Sequence, residues 1–317
     1  MGLFSNTVAA LTALTTGFTG VYSDINVSPP SDKTYNYAQR NTDQSSMIAR
    51  GANMSSGVVT IDRAKGNAMT TNDNPAHKQF ALKTLGKLPV IMHAVRVNPG
   101  LVSGDNADAI GMIQGFSAQD TTDMWDEYGG ISIIQDIAKR YDLQETTAKN
   151  TWYDTTMSAV DVARLIRRFM DDGDIKNSHK RWVLNVMKTA PLSVSGEDMS
   201  WGIPSAMGIS AKEDEVNTDT PAVWMQGWSP SGEKPMVRHS VGMVGQGYRF
   251  IVVMMGQVPE ETSNQDANRT MTQAMQELIS GGDDSTGAGG ITLGAEDGGN
   301  TDPKVEKFLE KNKKFSE

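Results

Sequence analysis

The sequence predicts an α+β fold, in which an antiparallel sheet draws strands from both ends of the chain and a helical lobe fills the middle. Three observations carry this. A strand-like run, "GVVTID" at 57–62, stands near the start. Helical periodicity then holds from about Phe80 past residue 190. After about residue 215 the texture changes to "PAVWMQGW" (221–228), "MVRHSVGM" (236–243) and "YRFIVVMMG" (248–256), three runs rich in β-branched, aromatic and methionine residues, joined by turn-forming "SPSGEKP" and "VGQG".

The elements follow in order. Residues 3–22 are uncharged and partly apolar, and suit a signal h-region, a membrane anchor or a packed helix. The first cation is Lys33, so no basic n-region precedes this stretch, and its five threonines make a poor span. Residues 23–56 read as a polar linker. "RAKG" turns "GVVTID" back into "NAMTTN" (67–72) as a hairpin. In "SIIQDIAKRY", Ile133, Ile134 and Ile137 share one helical face. "SAVDVARLIRRFM" (158–170) opens on the Ser158/Asp161 capping pattern and carries the stripe Val162, Ile166, Phe169. "NQDANRTMTQAMQELI" (264–279) returns to helix. Residues 281–302 are rich in Gly, Asp and Thr and too polar to bury a core. A short lysine-rich helix follows, on which Val305, Phe308 and Leu309 share a face that reads as solvated tail or as a docking surface for a protein partner or an anionic membrane. The domain division is therefore 1–45 (apolar segment and linker), 46–280 (folded domain) and 281–317 (tail).

Composition narrows function. A net charge of −9 and a pI near 5.0 argue against nucleic acid as partner. There is no cysteine, hence no disulfide framework or thiolate chemistry. His77, His93, His179 and His239 are scattered without metal-ligand spacing, and nothing in the pattern calls for a metal or cofactor.

The chemistry-bearing strings are three. Thr84-Leu85-Gly86-Lys87 precedes Leu88-Pro89. Ser117 stands in "GFSAQDTTDMW" with Gln119 two residues on. "WMQGW" places Met225, Gly227 and Trp228 on the first late strand. With the helix "TTMSAVDVARLIRRFM" (155–170), these strings and the order of elements resemble the class A β-lactamase and penicillin-recognising serine-hydrolase family, and above all its short divergent actinobacterial members, over about Gly57 to Ile279. The resemblance implies a β-lactamase-like (serine hydrolase/transpeptidase-like) fold. It implies roles as well: Thr84 where the family has its nucleophilic serine, Lys87 as the lysine that manages its proton, Ser117 and Gln119 in place of Ser-x-Asn, and Met225 in place of the lysine of Lys-Thr-Gly. Thr84 N–H and the backbone near Trp228 would hold the oxyanion. A second placement of the middle motif uses Asp105-Asn106, and the further Ser-x-x-Lys match at Ser231–Lys234 reads as turn composition.

Three departures fall on the chemistry. Threonine adds a methyl that stiffens χ1. Met225 cannot pair with a substrate carboxylate. Glu145, in "DLQETTAKNTWYD", has no matching asparagine for deacylation. The expectation is a catalytically silent member of the fold, acting as a binding or structural component at the cell envelope or in a larger assembly, and extracytoplasmic. The alternative is a weak acyl hydrolase or penicillin-binding enzyme, acting on β-lactam or peptidoglycan-like substrates through Thr84 and Lys87.

Overall fold

Alternate residues of the central strands enter two different apolar clusters, and this alternation builds the molecule in three layers. Val59, Ile61, Val223, Met225, Val241, Ile251 and Val253 face the helical lobe. Val58, Ala222, Trp224, Val252 and Met254 face the opposite layer. The computed structural model describes residues 33–70, 75–103, 106–114, 116–194, 196–209, 222–230, 232–280 and 303–315. The expectations for 3–22 and for 281–302 lie outside these residues.

The chain runs α1 (Lys33–Gly51), β1 (Ser55–Asp62), β2 (Asn67–Thr70), a short β3 (Gln79–Ala81), α2 (Lys87–Val97), α3 (Ala107–Ile113), α4 (Ala118–Tyr128) and α5 (Ile131–Tyr141). The two-residue β4 (Thr146–Thr147) and β5 (Thr156–Ser158) precede α6 (Ala159–Asp171) and α7 (Asn177–Lys188). The hairpin β6 (Ser193–Val194) and β7 (Glu197–Asp198) and the single turn α8 (Ile203–Ala206) lead to β8 (Ala222–Trp228), β9 (Val237–Val244), β10 (Phe250–Gln257), α9 (Asn264–Ser280) and α10 (Pro303–Asn312). The five-stranded sheet has the order β2-β1-β10-β9-β8. It is antiparallel throughout, with Val59 opposite Val253 and Met225 opposite Val241. The first and last thirds of the chain thus share one sheet, as the sequence predicts.

The helices form where expected. Ser158 caps α6 by accepting from Asp161 N at 3.1 Å, and Val162, Ile166 and Phe169 are buried. Ile133, Ile134 and Ile137 bury one face of α5.

Two expectations are corrected. The linker assigned to 23–56 holds the 19-residue helix α1, which crosses the boundary drawn at 45/46. Its inward stripe is Ala38, Asn41, Thr42, Ser45 and Ala49, all fully or almost fully buried. Small polar residues let this helix approach the sheet and α9 closely, and Thr42 Oγ1 returns its proton to Ala38 O at 2.7 Å. Periodicity is present, but hydropathy does not display it. The second concerns the tail helix. Phe308 stands 5.1 Å from the Arg63 guanidinium. A side chain at Gly247 would touch Asn312, Leu309 and Phe308, and Phe315 is buried in the lobe-side core. Phe308 and Leu309, expected on a displayed face beside Val305, are half-buried against the chain's own domain.

Candidate functional site

Thr84 sits in a tight helical turn, Lys83–Gly86, between β3 and α2. The turn is over-determined from several sides. Leu82 N donates to Thr155 O at 2.9 Å and Lys83 N to Tyr153 O at 3.0 Å. Lys83 adopts the left-handed φ of 51°, and its ammonium lies 2.5 Å from Glu233 and 3.5 Å from Asp154. Tyr153 donates its hydroxyl proton to Glu233. An ion pair therefore fastens the β8–β9 connection to the start of the candidate nucleophile helix. Gly86 admits no side chain, because a Cβ there would come 2.4 Å from Trp152 O.

The threonine hydroxyl is turned toward β8. Thr84 Oγ1 accepts from Trp228 N–H at 2.8 Å and lies 3.3 Å from Trp228 O, which takes its proton. The backbone donor expected to hold an oxyanion is thus engaged by the candidate nucleophile itself. Lys87, at the first position of α2, is 2% exposed. Among the described residues its Nζ makes no hydrogen bond, and it stands 5.0 Å from the centre of the Phe116 ring. Burial among apolar groups pulls its pKa down to about 7, against a partial opposing attraction from Asp120.

Thr84, Lys87, Ile113, Phe116, Met225 and Gln226 line a cavity of about 10 Å³. That is about the size of one water molecule. Phe116 closes it: its backbone is left-handed at φ 49°, and its ring packs edge-on against Trp228 with centroids 5.1 Å apart.

The structure brings Thr84, Lys87 and Met225 together. It does not bring Ser117 or Gln119 to the same cavity. Ser117 Oγ caps α4 by accepting from Asp120 N at 3.1 Å, and the exposed Gln119 donates to Asp123 Oδ1 one helical turn on at 2.8 Å. Gly227 marks the closest approach of β8 to the turn, where a Cβ would lie 2.6 Å from Leu85 Cβ and 2.8 Å from His239 Cδ2. Trp228 contributes its backbone to Thr84 and its ring to Phe116. In the competing placement, Asn106 caps α3 by accepting from Ala109 N at 2.9 Å. Glu145 is held by His77 and by Ser158 Oγ, the latter at 2.6 Å, and does not line the cavity. His239 is fully buried, bonded to Ala81 O and Gly256 N, and pushed down to about 4 by desolvation. No group of three metal-ligating side chains forms among the described residues. Sequence reasoning missed Phe116 and Glu233. The first stands one residue before the motif serine. The second lies in a turn beside Lys234, and nothing local shows that its partner is the distant Lys83.

The class that this fold defines is the β-lactamase-like one. A β-lactamase from Chitinophaga pinensis aligns with TM-score 0.58 at 13% identity, covering 75% of this chain and 97% of that one. PBP-A aligns at 0.55 and 16% identity over 79% and 97%, and a class A β-lactamase from Bacteroides cellulosilyticus at 0.56 and 10% identity over 76% and 99%. At these identities the likeness shows fold alone. In sequence, the chain is 23% identical over 239 residues to the mycobacterial protein named "Putative lipoprotein LppW", from Mycobacterium tuberculosis and Mycobacterium bovis, covering 74% of this chain and 72% of the relative. No family model matches. No described helix is long and apolar enough to cross a membrane.

Proposed function

We propose that this chain is a catalytically silent β-lactamase-fold protein that serves as a binding or structural component of the cell envelope. The carrying observation is the occupied and covered site. Thr84 Oγ1 is bonded to Trp228 N–H at 2.8 Å, and about 10 Å³ remains beneath Phe116. An acyl substrate has neither room nor a free backbone donor at β8, and oxyanion stabilisation needs that donor aimed at the developing charge. Met225 supplies no cation for a substrate carboxylate. The name of the relative LppW supports an envelope location. This sequence contains no cysteine to carry a thioether-linked lipid, so that attachment does not transfer to any residue of it.

The test is covalent labelling. Incubation with a fluorescent penicillin followed by intact mass measurement gives no adduct on this reading. One observation favours a second reading, a slow acyl-transfer enzyme: the Lys87 amine, held near 7 by burial, is poised as a general base should be. On that reading the same experiment places one penicillin on Thr84, which would falsify the silent one.

A further inference from the structure

On the α1/α9 side of the sheet the molecule is open. A concavity of about 660 Å³ lies among α9, the β6–β7 hairpin and the ends of β8 and β9. That volume falls in the range of small-molecule sites, about 300–1,000 Å³. Its walls combine three kinds of group.

The first is aromatic. The half-buried Trp228 and the buried Trp201, whose ring lies 5.9 Å from the Arg238 guanidinium, both line the concavity. Each is anchored by packing against the sheet-side core, so it is held in place before any ligand arrives.

The second is a fixed set of donors. Arg238 is 2% exposed and makes no ion pair among the described residues. Its Nε donates to Asn268 Oδ1 and its Nη2 to Asn264 Oδ1, both at 2.8 Å, while Nη1 donates to Val237 O at 2.8 Å. These bonds settle the orientation of both asparagine amides. Each Oδ1 is claimed by the guanidinium, and each Nδ2 keeps its two protons for the concavity. Thr272 Oγ1 accepts from Gly202 N at 3.0 Å, which leaves its own proton to donate.

The third is a set of acceptors. Glu197 and Asp198 are exposed on the hairpin and line the same space. Asp198 Oδ1 accepts from Ser200 N and Oγ at 2.8 and 2.6 Å, which leaves its Oδ2. Gln273 stands between the two sets in chemistry, able to give or accept.

A ligand that suits this lining offers hydroxyl groups that both donate and accept, and a flat C–H face to lie on an indole. It is not an anion. The Arg238 protons are largely committed, Arg269 is paired with Asp266 at 2.8 Å, and two carboxylates stand on the wall. We propose that this concavity binds a short neutral oligosaccharide, with its ring stacked on the half-buried Trp228 and its hydroxyls shared between the asparagine amides and the Glu197 and Asp198 carboxylates. The proposal is independent of whether Thr84 reacts.

The experiment applies the full chain to an array of immobilised chitotetraose, cellotetraose, maltotetraose, mannotetraose and galactotetraose. Any member retained is then titrated in solution by tryptophan fluorescence. The expected result is binding of at least one member at micromolar to millimolar Kd, with a fluorescence change, persistence at high salt, and no change on adding penicillin G. The double variant Glu197→Ala/Gln273→Ala alters two exposed side chains and keeps the melting temperature, yet binds at least about tenfold more weakly. Retention of no member overturns the proposal. So does binding that the folded double variant retains in full, or binding that high salt abolishes.

Discussion

Two concave regions flank β8 among the described residues, and they are opposite in kind. Toward the helical lobe, Thr84, Lys87 and Phe116 enclose about 10 Å³. Toward α9, amides, carboxylates and two indoles surround about 660 Å³. In the first, burial among apolar groups lowers Lys87 to about 7, and its amine finds no hydrogen-bond partner among the described residues. In the second, burial lowers Arg238 as well, to about 10, but its guanidinium is bonded to asparagine and backbone oxygens. The difference separates residues kept in place by packing from residues available to a ligand. A perturbed group inside a closed wall affects stability first, whereas a hydrogen-bonded group at an open wall governs recognition.

The largest expected effect tests the closed side. Gly227→Ala drives a methyl group toward Leu85 Cβ and the His239 ring, at 2.6 and 2.8 Å. Both neighbours are buried, so the strand itself must shift. A loss of about 4 kcal/mol in denaturant unfolding is expected, at the upper end for overpacking. A loss under about 1 kcal/mol would show that β8 and the Thr84 turn can separate, and the contrast between the two regions would fail.

Lys87→Met comes next and has the opposite sign. The folded pKa is about 7, below the usual 10.5 of lysine. Between these values the unfolded chain binds a proton that the folded chain does not, so stability rises with pH across that window. The cost of burying the amine is fully present below about pH 7 and absent above about 10.5. Replacement by methionine should therefore stabilise by about 3 kcal/mol at pH 6, and the gain should fade as pH rises through the window. Unchanged or lower stability at pH 6 would mean that the amine has a partner in solution.

His239 extends the same test to acid. Its folded pKa near 4 lies below the usual 6.5, so its contribution is present above pH 6.5 and is lost as pH falls from 6.5 toward 4. The wild type should lose about 2 kcal/mol more than His239→Gln over this range, measured as the difference between their urea midpoints. Parallel pH profiles would mean that the His239 imidazole is not desolvated in solution.

The smallest effect belongs to the open side. Gln265→Ala and Gln273→Ala replace exposed residues that line the larger concavity. Each should leave thermal stability within about 0.5 kcal/mol. A larger loss from either would make the open wall structural as well.

The sequence by itself determined the early strand, the helical middle, the three late strands and the capping of α6, because these rest on local periodicity and side-chain-to-backbone bonds that short stretches specify. That early and late strands share one sheet followed from the order of these elements. It also brought Thr84, Lys87 and Met225 to attention, through the resemblance of their strings to the Ser-x-x-Lys and Lys-Thr-Gly motifs of the serine-hydrolase family. Only the tertiary structure decided what those groups meet. Phe116 covers Lys87 because of a left-handed turn that no hydropathy pattern signals. Thr84 bonds to Trp228 across 144 positions of chain. Helix α1 hid behind buried Asn41, Thr42 and Ser45, whose small size matters only once a sheet lies against them. The larger concavity joins residues 197–201, 238 and 264–276, and such a surface exists only where the fold sets distant segments side by side. Long-range contacts are fixed by packing and loop closure, not by the chemistry of neighbours in sequence, and for that reason the availability of a site is read from the folded chain alone.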